Sequence, residues 1–154
     1  MTTEKMDFRT RRLVRSEDLN PRGTLFGGRL LEWIDEEASI FVFCQLGTRN
    51  VVTAHMSEIN FVAPATSGDV IEFGTEIVKF GTTSITLRMA VRNKRNREPL
   101  ITIDKIIFVA LDEFGDPYMH GVSEFSDDGR WNKRRHKEKI KAMKAGAVNW
   151  NPKA

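Results

Sequence analysis

The sequence predicts an α+β fold in which an antiparallel β-sheet wraps around one long central α-helix. Three observations predict it: a helical pattern in the first third of the chain, consecutive strand patterns after it, and short polar connections between those strands. Short connections favour antiparallel pairing, because parallel strands need long crossovers. The chain has 154 residues, 40% of them hydrophobic, which is enough for the core of one domain.

The helical pattern begins near Leu25 and ends before Gly47. Its central apolar face repeats at spacings of four, four and three residues and consists of Leu30, Ile34, Ala38 and Phe41. Further apolar residues widen this face, so we expect a helix that is buried on most sides. Gly47 suits the position just past the last turn, where a left-handed backbone favours glycine.

Strand patterns occupy one segment before the helix and four after it. Residues 7–15 predict a short strand, and residues 51–61, 69–80, 85–92 and 100–111 predict long ones. The pattern at 85–92 alternates with a strict period of two, as a half-buried strand does. Turn residues separate the strands, and no interdomain linker is predicted.

Charge is unevenly distributed along the chain. The net charge is +3, yet residues 121–154 carry nine basic and four acidic residues, whereas residues 1–120 carry 15 basic and 17 acidic ones. We therefore expect a folded domain at 1–120 and a basic tail at 121–154, in which a short helix and a disordered segment are the alternatives. The tail has few aromatic residues and no recognition motif, so no nucleic-acid partner is predicted.

The sequence lacks the marks of several common classes of protein. No apolar run reaches the ~18 residues of a membrane span, and the first residues do not follow the pattern of a signal peptide. Cys44 is the single cysteine and excludes an internal disulfide, so a cytoplasmic protein is expected. His55, His120 and His136 lack metal-ligand spacing, and there is no phosphate-binding loop or nucleophile elbow. Neither a metal nor a bound cofactor is predicted.

A group of acidic residues interrupts the apolar helix and consists of Glu32, Asp35, Glu36 and Glu37. A solvated helix edge explains most of this group. Asp35 is the exception, because Trp33, Ile34 and Ala38 surround it in the sequence. A carboxylate held against apolar surface is a candidate general base or nucleophile.

Gly27 and Gly28 stand where the helix is predicted to begin. Two glycines let the backbone approach a ligand closely, and the free N–H groups of a helix N-terminus favour developing negative charge. Close packing or a strained turn explains the same glycines equally well. Both interpretations stay open at this point.

Residues 20–38 resemble the signature of hotdog-fold acyl-CoA thioesterases, in particular the group of bacterial short-chain acyl-CoA thioesterases and brain-type acyl-CoA hydrolases. The matching positions are Asn20, Gly23, Phe26, Gly27, Gly28 and Asp35. Residues 52–56, 59–64 and 68–69 resemble the next strand and turn of that family, and residues 80–85 resemble the strand junction that faces coenzyme A.

The resemblance implies a hotdog fold that pairs into a homodimer with a continuous sheet and shared active sites. It also implies further assembly, into a hexamer (a trimer of dimers) or a tetramer. The implied reaction is hydrolysis of an acyl-CoA thioester to a free carboxylic acid and coenzyme A, with no cofactor, since coenzyme A is part of substrate and product. A non-catalytic acyl-CoA-binding sensor is the alternative, and Asp35 favours catalysis because a sensor could dispense with this carboxylate.

By the same resemblance, Asp35 is the catalytic general base or nucleophile, and Asn20 of the facing subunit places the water or the thioester. The backbone N–H of Gly27 or Gly28 polarises the thioester carbonyl. The expected contacts to the rest of the substrate are His55, Gly81, Thr82, Thr83 and Ser84.

One departure from the family concerns the phosphates of coenzyme A. Many relatives have an arginine at the junction where this chain has Thr82 and Thr83. Arg88, Arg92 and Lys94 are candidate replacements, and solvated strand and turn charges are the simpler interpretation of these three side chains.

Overall fold

A computed structural model describes residues 6–125, which form one antiparallel sheet and one α-helix. The elements in chain order are β1 (Asp7–Leu13), a 3-10 turn (Ser16–Asp18), α1 (Gly27–Leu46), β2 (Val51–Phe61), β3 (Val70–Phe80), β4 (Ser84–Asn93) and β5 (Pro99–Ala110). The predicted α+β class is confirmed, and each strand lies where the sequence predicts it.

The sheet has the strand order β1-β3-β4-β5-β2, with every neighbouring pair antiparallel. The connection through α1 therefore leads from one edge of the sheet to the other. Register shifts leave Arg9, Ala54 and Val78 as extra residues in β1, β2 and β3. Such bulges bend strands, which lets the sheet curve around the helix.

Helix α1 ends as predicted and is buried differently from the prediction. Gly47 has a φ of 68° and donates its N–H to the Phe43 carbonyl, so it closes the last turn in the left-handed conformation. The prediction of burial on most sides is wrong within a single chain. Ile40 is 47% exposed, because the sheet covers only one side of the helix.

The core lies between that side of α1 and the concave face of the sheet. Ile34 and Ala38 are fully buried there against inward residues of β3, β4 and β5 such as Ile71, Leu87 and Ile106. Burying a side chain of this kind contributes about 1.5–3 kcal/mol, so this face dominates the stability of the domain.

The outward face of β3 carries a buried carboxylate, Glu72, whose side chain is 2% exposed. Burial by itself raises the pKa of Glu72, but the hydrogen bond and charge of Arg92 and the charges of Lys94 and Arg11 outweigh it and lower the pKa. The three cations come from β1, β4 and the turn after β4, so this carboxylate links neighbouring segments of the sheet.

The described chain continues past β5 and packs on the domain. Tyr118 and Val122 belong to the core, and Phe125 stacks on Phe41 of α1 with ring centroids 6.3 Å apart. Packing therefore extends beyond the boundary predicted at residue 120. Residues 126–154 of the predicted basic tail lie outside the described residues. Among residues 6–125, α1 is too polar to qualify as a membrane-crossing helix.

Candidate active site

The predicted catalytic carboxylate, Asp35, lies on α1 opposite the edge strand β2. The Thr53 hydroxyl of β2 donates a 2.6 Å hydrogen bond to Asp35 Oδ1. Asp35 is half-buried, so the expected hydrophobic surroundings are only partial and its carboxylate remains accessible from outside the chain. The contact fixes one carboxylate oxygen and leaves Oδ2 available for chemistry.

The other three acidic residues of the helix are held by arginines. Arg29 pairs with Glu32 at 3.3 Å, and Arg12 of β1 pairs with Glu36 at 2.9 Å and Glu37 at 3.2 Å. Within the described part of the chain, Asp35 has no such ion pair. Asp35 is therefore the one acidic side chain of the group that faces β2. This agrees with the prediction that Asp35 is the exception among acidic residues of a solvated helix edge.

Gly27 and Gly28 form the first turn of α1, as predicted. Phe26 precedes them as an N-cap without a side-chain hydrogen bond, and the Leu30 N–H to Phe26 carbonyl bond is the first of the helix. No group in residues 6–125 accepts a hydrogen bond from the Gly27 or Gly28 N–H. These two amides are therefore able to bind a carbonyl oxygen or an anion.

Aromatic rings pack tightly over both glycines. A Cβ at Gly27 would lie 3.2 Å from Phe61, and a Cβ at Gly28 would lie 2.7 Å from Phe26. Neither residue needs a positive φ, so the strained-turn interpretation does not apply. Close packing and accessible amides thus coexist at this helix end.

The amides and the carboxylate are too far apart to act together within one chain. Gly28 and Asp35 are seven residues apart on the same helix, which corresponds to about 10 Å along its axis. A thioester carbonyl held by the Gly28 N–H is therefore out of reach of Asp35 in the same chain. This separation requires a second chain if both groups act on one bond.

Asn20 has its side chain built into the loop before α1. Its Oδ1 accepts hydrogen bonds from the N–H groups of Arg22 and Thr24, and its Nδ2 lies 2.9 Å from the Thr24 hydroxyl. The side chain is half-buried, and one of its two amide N–H bonds is left for another contact. Asn20 thus shapes the loop in addition to any contact with substrate.

The predicted coenzyme A junction, Gly81–Ser84, connects β3 to β4. The Gly81 N–H donates to the Ser84 carbonyl at 2.8 Å, and the Ser84 hydroxyl occupies the space that a Cβ at Gly81 would fill. The Ala110 N–H donates to the Thr83 carbonyl, and the His120 N–H to the Thr82 carbonyl. The loop is therefore tightly formed, with Thr82 exposed at its tip.

The candidate replacements for the missing arginine do not lie at this junction. Arg92 stands at the far end of β4, where it pairs with Glu72 and lies over the Phe8 ring, and Lys94 also pairs with Glu72. Arg88 pairs with Glu76. These contacts match the simpler interpretation of structural surface charges.

His55 lies in β2 just after the bulge at Ala54, with its side chain exposed. Its side chain makes no recorded hydrogen bond or ion pair to another described residue. Thr53, two residues earlier, is the site residue that the sequence analysis missed. A threonine in a strand-forming segment carries no local signal, and only the register of β2 against α1 shows its role.

The described residues also bear on metal binding. Nowhere in residues 6–125 do three His, Cys, Asp or Glu side chains converge as they would around a metal ion.

Comparison with known proteins places the chain in a family. The model of the thioesterase superfamily matches residues 22–100, which include α1 and the strands β2, β3 and β4. The acyl-CoA thioester hydrolase YciA of Salmonella typhimurium is 33% identical over 113 residues, which are 70% of this chain and 84% of that protein.

Solved structures agree with this match. The hexameric thioesterase y2039 from Yersinia pestis superposes with a TM-score of 0.68 at 29% identity, over 73% of this chain and 93% of that one. An acyl-CoA hydrolase from Staphylococcus aureus, in complex with butyryl coenzyme A, coenzyme A and coenzyme A disulfide, gives 0.66 at 27% identity, over 94% and 87%. The sheet around one helix is the hotdog fold implied by the resemblance, and the chain belongs to the thioesterase superfamily.

Proposed function

We propose that this protein hydrolyses acyl-CoA thioesters to a free carboxylic acid and coenzyme A, with Asp35 as the reacting carboxylate. The observation that carries the proposal is the environment of Asp35. Among residues 6–125 it has no arginine partner, unlike its three acidic neighbours, and the Thr53 hydroxyl holds it instead. A carboxylate that is not engaged by a guanidinium is suited to act as a general base or as a nucleophile.

Asp35 acts in one of two ways, and both use the same ionised oxygen. As a general base, it takes a proton from water while the water oxygen attacks the thioester carbon. As a nucleophile, it attacks that carbon itself, and water then cleaves the resulting anhydride. In either case the C–S bond breaks and the thiolate of coenzyme A takes up a proton. The Gly27 or Gly28 N–H stabilises the oxyanion that forms on the carbonyl oxygen.

The proposal includes a homodimer with shared active sites. Asp35 of one chain acts with the helix N-terminus and Asn20 of its partner, because these groups are about 10 Å apart along one helix. The edge strand β2 and the start of α1 expose a set of large apolar side chains that a second copy would cover: Phe26, Val52, Ile59, Phe61 and Val62. We propose that such dimers associate into a hexamer, as the name of the Yersinia pestis thioesterase states for that protein.

No cofactor takes part in the proposed reaction, and we place the enzyme in the cytoplasm, where coenzyme A thioesters are made and used. Water and an acyl-CoA supply every atom of the products. The carboxylate and the backbone amides supply the acid–base and electrostatic steps.

The test is a thiol-release assay on a panel of acyl-CoAs from acetyl to palmitoyl, with an aryl-CoA and an acyl-carrier protein added. Asp35→Asn should lower turnover by about 10²–10⁴-fold, which is the usual contribution of a general base. Glu36→Gln is the matched control, since it removes a neighbouring carboxylate that is paired with Arg12. Tight acyl-CoA binding without turnover by the wild type would instead indicate a sensor.

A further inference from the structure

We propose that His120 is a positioning residue for substrate binding: its buried ring holds the Gly81–Ser84 junction in the conformation that binds the phosphates of coenzyme A. The inference rests on the proposed function. His120 follows the last strand, and its spacing from the other histidines in the sequence does not predict a metal ligand. Its side chain is 1% exposed and lies beside Phe80, with ring centroids 6.5 Å apart.

Both ring nitrogens of His120 have defined partners. The Val122 N–H donates to Nδ1 at 3.1 Å, so Nδ1 is the acceptor and carries no proton. Nε2 therefore carries the proton and donates to the Ser84 carbonyl at 2.8 Å. The ring thus joins the segment after β5 to the first residue of β4 in one fixed tautomer.

The backbone of the same segment holds the remaining carbonyls of the junction. The His120 N–H donates to the Thr82 carbonyl at 3.3 Å, and the Ala110 N–H donates to the Thr83 carbonyl at 2.8 Å. All three carbonyls from Thr82 to Ser84 are therefore directed toward the protein, and two of them toward His120.

The backbone N–H groups of the loop differ from its carbonyls. In the part of the chain that the structure describes, neither the Thr82 nor the Thr83 N–H has an acceptor, and Thr82 is exposed. Two backbone N–H groups and two hydroxyls on one loop can together bind an anion without a charged side chain. Such a loop can therefore bind a phosphate through Thr82 and Thr83 without an arginine.

The junction lies at a suitable place for the nucleotide end of a substrate at Asp35. Thr53 pairs with Phe108 of β5, and Phe108 pairs with Ile85, the residue after Ser84. The junction is therefore at the level of the Asp35–Thr53 contact and two strands across, about 10 Å away. The flexible pantetheine arm of coenzyme A spans such a distance between thioester and phosphates.

Two variants of His120 separate its two hydrogen bonds. In His120→Gln the amide nitrogen replaces Nε2 and can still donate to Ser84, whereas in His120→Asn the amide oxygen replaces Nδ1 and keeps only the Val122 bond. We expect His120→Asn to raise KM for acyl-CoA by up to about tenfold, the upper end for the loss of one neutral hydrogen bond, with kcat within about twofold. His120→Gln should stay within about threefold of wild type in both constants.

The control substrate is the matching S-acyl-pantetheine, which has the thioester and no phosphate. On this substrate His120→Asn should equal wild type. A fall in kcat on both substrates, or equal effects of the two variants on acyl-CoA, would overturn the positioning role. Wild-type turnover of acyl-CoA that depends on Asp35 is measured alongside, so a failure of the proposed function is seen separately.

A second pair of measurements applies if His120→Asn does not fold. The double variant Thr82→Ala/Thr83→Ala removes two hydroxyls from the surface of the loop and leaves the core unchanged. It should weaken the binding of adenosine 3′,5′-bisphosphate at least tenfold in calorimetry and raise KM for acyl-CoA by a similar factor, since each hydroxyl donates to a charged phosphate. Unchanged binding would contradict a phosphate site at this junction.

Discussion

Thr53 and Asp35 are joined by a 2.6 Å hydrogen bond between the edge strand of the sheet and the central helix. Thr53 immediately precedes the bulge at Ala54, so an irregularity of the strand lies next to the carboxylate that we propose to react. Bulges often direct a side chain toward an active site. The Thr53 hydroxyl of β2 orients the Asp35 carboxylate. The carboxylate therefore lies at the edge of the sheet where a second chain is expected.

Removing the Thr53 hydroxyl should weaken catalysis without unfolding the protein. Thr53→Val keeps the shape of the side chain and its strand propensity, but it leaves Asp35 Oδ1 without a donor. A hydrogen bond to a charged group is worth about 1.5–3 kcal/mol, so kcat should fall about 10–100-fold. The measurement is steady-state hydrolysis of one acyl-CoA, with melting temperature as the check on folding.

Thr53→Ser is the matched control for that variant, because it keeps the hydroxyl and loses only a methyl group. Serine should retain most of the wild-type rate. If valine and serine reduce kcat equally, the hydroxyl does not orient Asp35, and packing of the methyl group is the relevant contact.

Asn20 should contribute both to the loop and to the reaction, and its two roles can be separated. Thr24→Ala removes the hydroxyl that contacts the Asn20 amide, yet it leaves the Asn20 side chain in place. We expect a loss of about threefold from the loop alone, since a neutral hydrogen bond is worth about 0.5–1.5 kcal/mol. Asn20→Asp keeps the acceptor for the Arg22 and Thr24 N–H groups and removes the amide donor, so it should lose activity at least tenfold. Equal losses in the two variants would reduce Asn20 to a structural role.

Much of the fold could be predicted from the sequence, since each element has a strong local signal. The apolar periods place α1 and the five strands, and Gly47 marks the end of α1 because its left-handed conformation is a local property. The burial of α1 could not be predicted in this way. Ile40 is apolar and exposed, because burial depends on which faces the sheet reaches.

The candidate site shows the same division between local and long-range information. Asp35, Gly27 and Gly28 are recognisable because they share one short motif. Thr53 and His120 reach the site only through strand register and a contact across many residues, and neither leaves a pattern in its neighbourhood of the sequence.

Mixed oligomers should recover activity if each site takes groups from two chains. Asn20→Ala and Asp35→Asn chains, each inactive or weak alone, are refolded or co-expressed in equal amounts. A mixed dimer then has one intact site, with the Asp35 of the first chain and the Asn20 of the second. Random pairing makes half of the dimers mixed, so activity should reach about a quarter of wild type. Activity no higher than the average of the two parents, in dimers shown by mass spectrometry to be mixed, would contradict a shared site.

Glu72 should make the stability of the domain sensitive to acid. Its pKa is lower in the folded chain than the ordinary value that a glutamate has in the unfolded chain, so folding favours the ionised form. The resulting stabilisation is complete above the unfolded pKa and disappears as the pH falls through the lower folded pKa. Glu72→Gln should therefore lose about 2 kcal/mol at pH 7, because Arg92, Arg11 and Lys94 are left facing a neutral buried group. The difference from wild type should shrink toward zero below about pH 4, as the wild-type carboxyl takes up its proton.

Urea unfolding from pH 3 to pH 8 at one protein concentration measures this difference. Glu76→Gln is the matched control: Glu76 also faces outward from β3 and pairs with Arg88, but its side chain is 29% exposed. An accessible ion pair contributes about 0.2–1 kcal/mol, so this control should lose less and depend less on pH. A Glu72→Gln protein as stable as wild type at pH 7 would show that the cost of burying the Glu72 carboxylate cancels its attraction to the three cations. A deficit that stays constant down to pH 3 would assign the loss to packing rather than to the charge of Glu72.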